Sequence, residues 1–272
     1  MRKIRELGTK KWAVTLVWII GIVIVWEIMA VIVAHTKRTP ENILPHIYQI
    51  LYSFISPKQV AGGQTVTQVV LSSTGATIGR AVIGFLLGTV SGFVLALLMK
   101  LSGIIEKLAF PYLMLIQMIP ILGMAPIINA LTGDIGSSRI IISAILTFYP
   151  VATNVLAGFK SVEVEKHELM HSYAATKFQR YTKTFIPACI PYFFTGLKIS
   201  APMAITASIL VDTLQGGIGL GCLLSQALKG AMTRYVFWQI VFFSAMIGIL
   251  SFALMGLIEN MICPYRRVAK ER

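Results

Sequence analysis

The chain has 272 residues, of which 56% are hydrophobic and only 13% are charged, and its mean hydropathy is +0.77. This composition excludes an ordinary soluble domain and indicates a polytopic membrane protein. The formal net charge of +13 does not indicate nucleic-acid binding. The basic residues are scattered between apolar segments, where membrane topology and anionic headgroups explain them better.

Six segments are apolar over the length of about 20 residues that a helix needs to cross the bilayer core. In chain order they cover residues 13–34, 77–99, 108–131, 140–159, 190–211 and 235–258. We therefore predict an all-α integral membrane protein with about six transmembrane helices in the plasma or inner membrane. The first apolar run is too long for a signal peptide and has no evident cleavage site, which indicates an uncleaved anchor.

The distribution of basic residues orients these spans. If the N terminus is cytoplasmic, most of the 24 lysines and arginines fall on the cytoplasmic side, chiefly in residues 1–12, 160–198 and 264–272. We therefore predict that both termini are cytoplasmic. The charged segment 160–190 is then cytoplasmic as well.

The chain is predicted to have three parts. Residues 1–70 comprise the cytoplasmic N terminus, the anchor helix and an external connection with the amphipathic segment ILPHIYQILYSFI. Residues 71–263 form the membrane core. Residues 264–272 form a basic cytoplasmic tail.

Glycine and proline are expected to shape the core helices. Gly84, Gly88 and Gly92 recur every four residues, which gives one helix face where another backbone can approach closely. Prolines interrupt the third, fourth and fifth spans, at Pro111, Pro120, Pro126, Pro150 and Pro202. An internal proline removes a hydrogen bond and bends a helix. Such breaks are typical of transporters and channels, with an ordinary kink as the alternative at each position.

Polar side chains inside the spans are candidates for a solute pathway, because polar groups in hydrocarbon are costly unless they have partners. The candidates are Gln117, Asn129, Asn154, Thr206 and Asp212. Hydrogen bonding between helices is the alternative role for each. Asp212 ends the fifth span, so we expect its carboxylate to be solvated near the outer interface.

Enzyme chemistry has little support. The sequence has no G-x-S-x-G and no Cys-x-x-Cys, and its three cysteines lie far apart. The run GGIGLG at 216–221 lacks the lysine and the serine or threonine of a phosphate-binding loop. We predict a protein without catalytic residues that binds no metal and no cofactor. If ATP drives it, another chain must bind the ATP.

The segment KSVEVEKHELMHSYAATKFQRYTKTFIPACI, residues 160–190, is the charged and amphipathic exception in this apolar chain. We predict a helix from Glu168 to about Tyr181, since a turn of about 100° per residue brings Met170, Tyr173 and Phe178 onto one face. A short helix with an aromatic face can insert into a groove of a partner protein. Pro187 and Pro191 are expected at the start of the fifth span, a position that proline favours.

This segment resembles the EAA motif of binding-protein-dependent ABC importer permeases, which reads E-A-A, three residues, G, nine residues, then I-x-L-P. Glu168 matches the acid, Leu169 and Met170 replace the two alanines, Ala174 stands where glycine is usual, and Pro187 matches the proline. The resemblance implies that this segment is a coupling helix that docks on an ATPase. The residues assigned to docking are Glu168, Met170, Tyr173, Ala174, Ala175, Lys177, Phe178 and Pro187.

The resemblance continues over about residues 71–263. STGATIGRAVIGFLLGTVSGFVLALLM, FYPVATNVLAGFKSVE and PYFFTGLKISAPMAITASILVD are similar to the permease branch that serves nitrate, sulfonate and taurine importers, which also includes systems for thiamine precursors and riboflavin. It implies a type I importer with two copies of this subunit, two cytoplasmic ATPase subunits that use ATP, and an extracytoplasmic solute-binding protein. Because alanine adds only a methyl group and improves helix propensity by up to about 1 kcal/mol, we expect Ala174 to retain docking.

Two other classes stay open at this stage. The chain could be a secondary transporter or channel that works alone, although no inverted repeat of hydropathy is evident. A membrane-embedded enzyme would need a catalytic constellation. For an importer, the expected solute is of the nitrate, sulfonate or taurine class, and the alternative is a vitamin-type heterocycle such as a thiamine pyrimidine precursor or riboflavin.

Overall fold

The computed structural model describes residues 2–37, 40–55, 63–229 and 236–263, and these are almost entirely helical. The predicted basic tail, residues 264–272, lies outside the described residues. The helices are α1 (Arg2–Thr36), α2 (Pro40–Ile43), α3 (Ile47–Ile55), α4 (Val66–Leu101), α5 (Gly103–Met118), α6 (Ile121–Thr132), α7 (Ile135–Lys160), α8 (Val164–Ser172), α9 (Lys177–Arg180), α10 (Ile186–Gln215), α11 (Leu220–Leu228) and α12 (Val236–Ile262). A π-helical turn, Tyr181–Phe185, joins α9 to α10.

Five helical segments in the described part of the chain are long and apolar enough to cross a membrane. They are Ala13–Thr36, Val66–Leu101, Ile135–Lys160, Lys177–Leu214 and Val236–Ile262. A sixth span is possible if α5 and α6 cross together, since the two helices are bent by 110° at their junction. The prediction of an all-α protein with about six membrane helices is therefore confirmed.

The third predicted span, residues 108–131, is not one continuous helix. α5 ends at Met118, and Ile119 adopts an extended conformation with φ −73° and ψ 127°. Proline disfavours helical geometry in the residue before it, and Pro120 itself has no N–H to donate. The proline at this position therefore breaks the span, whereas Pro111 and Pro126 lie inside helices.

The chain divides into two compact units. The smaller contains the described residues up to Val70 together with Gln226–Phe242, and the larger contains Leu71–Ser225 and the described residues from Phe243. The predicted division at residues 70 and 263 stays a prediction. The coupling segment and the candidate pathway residues all belong to the larger unit.

In the smaller unit, Glu27 of α1 binds the start of α3. Its carboxylate accepts a hydrogen bond from the Ile47 amide at 2.9 Å and lies 2.6 Å from His46 Nδ1. Trp26 Nε1 donates to the Pro45 carbonyl at 3.0 Å. The Ile47 amide lies at the N terminus of α3 and has no partner within its own helix. Glu27, the acid within the first apolar span, supplies its hydrogen-bond acceptor.

In the larger unit, the glycine face of α4 packs against α7, which is the close backbone approach that the glycine spacing predicts, with a partner helix that the spacing does not identify. A Cβ added to Gly84 would lie 2.6 Å from the Ile140 carbonyl oxygen, and one added to Gly92 would lie 2.7 Å from that of Phe148. A Cβ on Gly88, between them, would overlap the Ala144 carbonyl oxygen. The two helices run in the same direction at backbone contact, which only glycine permits at these positions.

α7 and α10 run antiparallel along their whole lengths. Near one end, a Cβ on Gly158 would lie 2.8 Å from Cys189 Cα. Further along, Ser143 Oγ donates to the Ala204 carbonyl at 3.1 Å. Phe159, Val155 and Val151 of α7 are fully buried in the core between these helices. α7 is therefore the central helix of the larger unit.

We expect Gly88→Ala to destabilise the protein by about 1–3 kcal/mol, the usual cost of overpacking a tight core. Gly79→Ala is the matched control on the same helix, because a Cβ there would meet nothing within 4 Å. Thermal unfolding of the two purified variants in detergent measures the difference. Equal midpoints would show that the close packing of α4 on α7 is wrong.

Candidate functional site

The predicted coupling helix is two helices joined by a turn. α8 ends at Ser172, and the amides of Ala175 and Ala174 donate to the carbonyls of Met170 and His171 at 3.0 and 2.9 Å. This pair of bonds is the Schellman motif, which ends a helix with one residue in the left-handed conformation. That residue is Ala174, with φ +49°.

The prediction of one helix from Glu168 to Tyr181 is therefore wrong, and so is the single apolar face derived from it. The expected gain in helix propensity at Ala174 is wrong for the same reason, because this residue lies outside both helices. The left-handed conformation costs an L-residue about 1–2 kcal/mol. Glycine is usual at this EAA position, and here its advantage would be conformational freedom.

The part of the coupling segment that follows the turn at Ala174, here called its second arm, begins with a capping box. The sequence pattern T-x-x-Q could have indicated it. Thr176 Oγ1 accepts a hydrogen bond from the Gln179 amide at 3.3 Å, and Gln179 Oε1 accepts one from the Thr176 amide at 2.9 Å. Helix α9 starts at Lys177 as a result. Its backbone then continues through the π-helical turn into α10.

Pro187 lies just inside α10, after the π-helical turn in which the Ile186 amide donates to the Tyr181 carbonyl five residues earlier. We expected the prolines to mark the start of the fifth span. In the structure the helical backbone is already continuous from Lys177, and it forms one segment of 38 residues, Lys177–Leu214. The second arm of the coupling segment is thus joined directly to a membrane helix.

Most of the predicted docking residues are exposed. Tyr173 and Phe178 are each 76% exposed, whereas Met170 and Ala175 are half-buried. The remaining predicted residues, Glu168, Ala174, Lys177 and Pro187, are exposed as well. Large exposed apolar side chains on a polar surface are typical of a protein interface.

Residues 167–171 read H-E-L-M-H, which is also the order of the zinc-binding helix of metallopeptidases. These residues belong to α8, and the Glu168 and His171 side chains are exposed. Among the described side chains no three histidine, cysteine or acidic groups are placed to hold a metal ion, and the His167 side chain lies outside the described residues. Glu168 is also the residue at the acid position of the EAA segment.

A second polar site surrounds Asp212, at the end of α10 opposite the coupling segment. Arg139 Nε of α7 lies 2.6 Å from Asp212 Oδ1, and Arg80 Nη2 of α4 lies 3.5 Å from it. Thr77 Oγ1 donates to Asp212 Oδ2 at 3.0 Å. The Asp212 side chain is fully buried, so the expectation that it is solvated is wrong.

The glycine-rich segment 216–221, here called the loop 216–221 although its last two residues begin α11, encloses this site. The carbonyls of Gly216 and Ile218 accept hydrogen bonds from Arg139 and Arg80, both at 2.5 Å. Gly216 and Gly217 have φ of +72° and +95°, which favour glycine, and a Cβ on Gly219 would overlap the Asp212 carboxylate. The loop therefore excludes water from Asp212, which is why the sequence-based expectation failed.

The other candidate pathway residues do not join this site. Asn154 Nδ2 and Thr206 Oγ1 donate to carbonyls of their own helices, at 2.7 and 2.9 Å. Gln117 is exposed, and Asn129 is half-buried, with an Oδ1 atom that has no hydrogen-bond partner among the described residues. Their role as pathway residues stays a prediction.

The larger unit contains a further buried ion pair, between Lys198 of α10 and Glu259 of α12. Glu259 is 3% exposed. Both residues lie near the ends of apolar segments, where a sequence alone suggests snorkelling to the interface. The pairing could have been anticipated from their opposite charges but not from their spacing of 61 residues.

The chain has long apolar helices, and an exposed surface segment is continuous with one of them, α10. A buried ion network lies at the opposite end of α10. These features define a multi-pass membrane transport protein. Residues 84–262 match the family of binding-protein-dependent transport system inner membrane components. The chain belongs to this family and is a type I ABC importer permease of the inner membrane. Its role is transport and not catalysis, and such a permease works with an ATPase and a solute-binding protein.

Relatives and solved structures agree with this assignment. The chain is 33% identical over 192 residues to the formylaminopyrimidine transport permease protein ThiX of Halalkalibacterium halodurans, covering 71% of this chain and 76% of the relative. It is 25% identical to the nitrate import permease protein NrtB of Leptolyngbya laminosa, covering 70% and 67%. An inward-facing structure of the MetNI methionine ABC transporter shares the fold, with a TM-score of 0.63, 14% identity and coverage of 72% and 96%.

We expect Ala174→Gly to stabilise the turn by about 1 kcal/mol, because glycine adopts the left-handed conformation without the steric cost of a Cβ. Amide hydrogen exchange in α8 should slow by about fivefold. Ala175→Gly is the control, since Ala175 has no positive φ, and it should not slow amide hydrogen exchange in α8. Unchanged exchange in Ala174→Gly would contradict the Schellman geometry.

We expect Asp212→Asn to destabilise the protein by about 3–5 kcal/mol, because it leaves the buried Arg139 and the half-buried Arg80 without a counter-charge. Asp134→Asn is the control: Asp134 caps α7 by accepting from Ser137 at 2.7 Å, and asparagine caps equally well. Thermal midpoints in detergent measure both variants, and similar midpoints would contradict the buried network.

Proposed function

We propose that α8, the turn at Ala174 and α9 dock on the ATPase and transmit its movement to the membrane part of the permease. The single observation that carries this proposal is the exposure of Tyr173 and Phe178 on a segment whose backbone continues into the membrane helix Lys177–Leu214. A docking surface on a flexible loop would transmit little force. A continuous helix moves as a body when its end is displaced.

The movement of α10 would act on the ion network around Asp212. α10 carries Asp212 at its far end, where the carboxylate binds Arg139 and Arg80 of two other helices and lies under the loop 216–221. A displacement of α9 along α10 would therefore act on α4, α7 and the loop together. In an importer with cytoplasmic termini, this end faces the solute-binding protein.

The assembly that we propose has two copies of this permease, two ATPase subunits and one extracytoplasmic solute-binding protein. ATP binds to and is hydrolysed on the ATPase, and this chain binds no cofactor. Closure of the ATPase dimer brings the two coupling segments together and opens the pathway outward. Hydrolysis returns it to the inward-facing state.

For the solute, we favour an uncharged heterocycle of pyrimidine size. A cavity of about 280 Å³ lies among α4, α10 and α12 in the larger unit. Its lining side chains are apolar except for Ser251, and include Ile78, Phe85, Ile205 and Met255. The Ser251 hydroxyl donates to the Gly248 carbonyl at 2.8 Å, so the cavity offers a solute mainly apolar surface, which suits a flat heterocycle better than an anion. The name of the relative at 33% identity agrees with this choice.

A nitrate-, sulfonate- or taurine-like solute is the second candidate. The observation in its favour is the match to the nitrate import permease at 25% identity. Arg139 and Arg80 are not counted for it, because the Asp212 carboxylate and loop carbonyls already bind them.

The docking surface is tested by Tyr173→Ala combined with Phe178→Ala. Because truncation of central aromatic anchors commonly costs about 2 kcal/mol or more, the ATPase should be retained about thirtyfold less tightly on the purified permease. Tyr48→Ala is the control, an exposed aromatic residue at 66% in the smaller unit. ATPase binding equal to that of the control would refute the placement of the docking surface.

The solute is tested in proteoliposomes that contain the permease, its ATPase and its binding protein. We expect ATP-dependent uptake of labelled formylaminopyrimidine, and none of nitrate or taurine. Uptake of nitrate or taurine alone would select the second candidate. Uptake driven by an ion gradient without ATP would identify a secondary transporter and overturn the coupling proposal.

A further inference from the structure

A cavity of about 350 Å³ lies where α4 ends and the coupling segment continues toward α10. Its lining residues are Lys100, Leu101, Lys177, Arg180, Tyr181 and Phe185. Three of the six are basic, none is acidic, and two are aromatic. Lys177 and Arg180 belong to α9 of the docking segment, but the exposed aromatic side chains on which the docking proposal rests do not account for this concentration of positive charge.

The basic groups of this cavity form no ion pair in the described part of the chain. None of the described carboxylates lies within 4 Å of Lys100, Lys177 or Arg180, and Glu106, whose charge acts on Lys100 from a greater distance, is paired with Lys160. Lys100 Nζ lies over the Phe185 ring, 4.5 Å from its centroid.

Arg180 gives the most specific indication of a ligand. Its Nε atom is buried and has no hydrogen-bond partner among the described residues. A buried donor without a partner costs free energy, and more so when it is charged. An anion with several acceptor oxygens would satisfy it and would also neutralise the two lysines. The planar guanidinium group is well suited to phosphate oxygens.

The depth of the cavity identifies the source of the anion. Leu101 is the last residue of the apolar helix Val66–Leu101 and lies two residues beyond the predicted membrane segment 77–99. The end of α4 therefore places the cavity where this helix leaves the hydrocarbon, at the level of the lipid headgroups. Leu101 is 58% exposed beside it and offers an apolar edge to an acyl chain. Tyr181 is of the residue type enriched at this level.

We propose that this cavity binds the phosphate group of an anionic phospholipid. Arg180 binds the phosphate oxygens, Lys100 and Lys177 neutralise its charge, and the acyl chains lie along the apolar end of α4. The lipid connects the end of α4 to the second arm of the coupling segment. It thereby holds that arm against the membrane core. The site depends on the geometry of this chain alone, so it stands whichever solute is transported.

The test is a thermal-shift titration of the full chain, purified in a neutral detergent and mixed with phosphatidylglycerol, phosphatidylcholine or inorganic phosphate. Phosphatidylglycerol should raise the unfolding midpoint, and the other two should not. Lys100→Gln combined with Arg180→Gln should increase the concentration of phosphatidylglycerol needed for the half-maximal shift at least about fivefold. Arg180→Lys, which keeps the charge, should have an intermediate effect.

The control is Lys107→Gln combined with Lys183→Gln, which removes the same charge from two exposed lysines outside the cavity. This pair should behave as the wild type does. The proposal is overturned if both pairs respond alike, or if phosphatidylcholine is as effective as phosphatidylglycerol. Protection by inorganic phosphate alone would also overturn it, because that result would indicate a site for a soluble anion. If the variant Lys100→Gln combined with Arg180→Gln does not fold, Arg180→Lys alone decides the outcome in the same titration.

Discussion

The burial of one carboxylate, that of Asp212, is the constraint on which the larger unit depends. A buried carboxylate without partners is too costly to remain charged, so Arg139 and Arg80 must come from two other helices to meet it. The arginines in turn need acceptors, which the carbonyls of the loop 216–221 provide. One acid thus determines the relative positions of α4, α7, α10 and the loop.

Close backbone packing makes these helices a single mechanical body. The glycine face of α4 lies on α7, and α7 lies along α10 with glycine at several contacts. Interiors packed at this density transmit displacement because they deform little. In the mechanism that we propose, a movement that enters at α9 reaches the Asp212 network through α10. The phospholipid site that we propose lies at the point where this movement would enter.

Much of this could be predicted from the sequence, and the failures have identifiable causes. The spans followed from apolar length, and the segment at 160–190 stood out because it alone among the long segments was charged. The single helix from Glu168 was wrong because alanine occupies a left-handed position where glycine would have indicated a turn. The expectation that Asp212 is solvated was wrong. A position near the end of a span does not indicate whether a loop folds back over the side chain.

The amino-acid sequence by itself determined the class of the protein, since hydrophobicity, helix length and the order of EAA residues are local properties that each segment carries alone. Only the tertiary structure decided which charges pair. Arg80, Arg139 and Asp212 are separated by up to 132 positions in the chain. The residues that line the basic cavity are likewise separated by tens of positions. Electrostatic partnership depends on distance in space, and that distance exists only once the helices have packed.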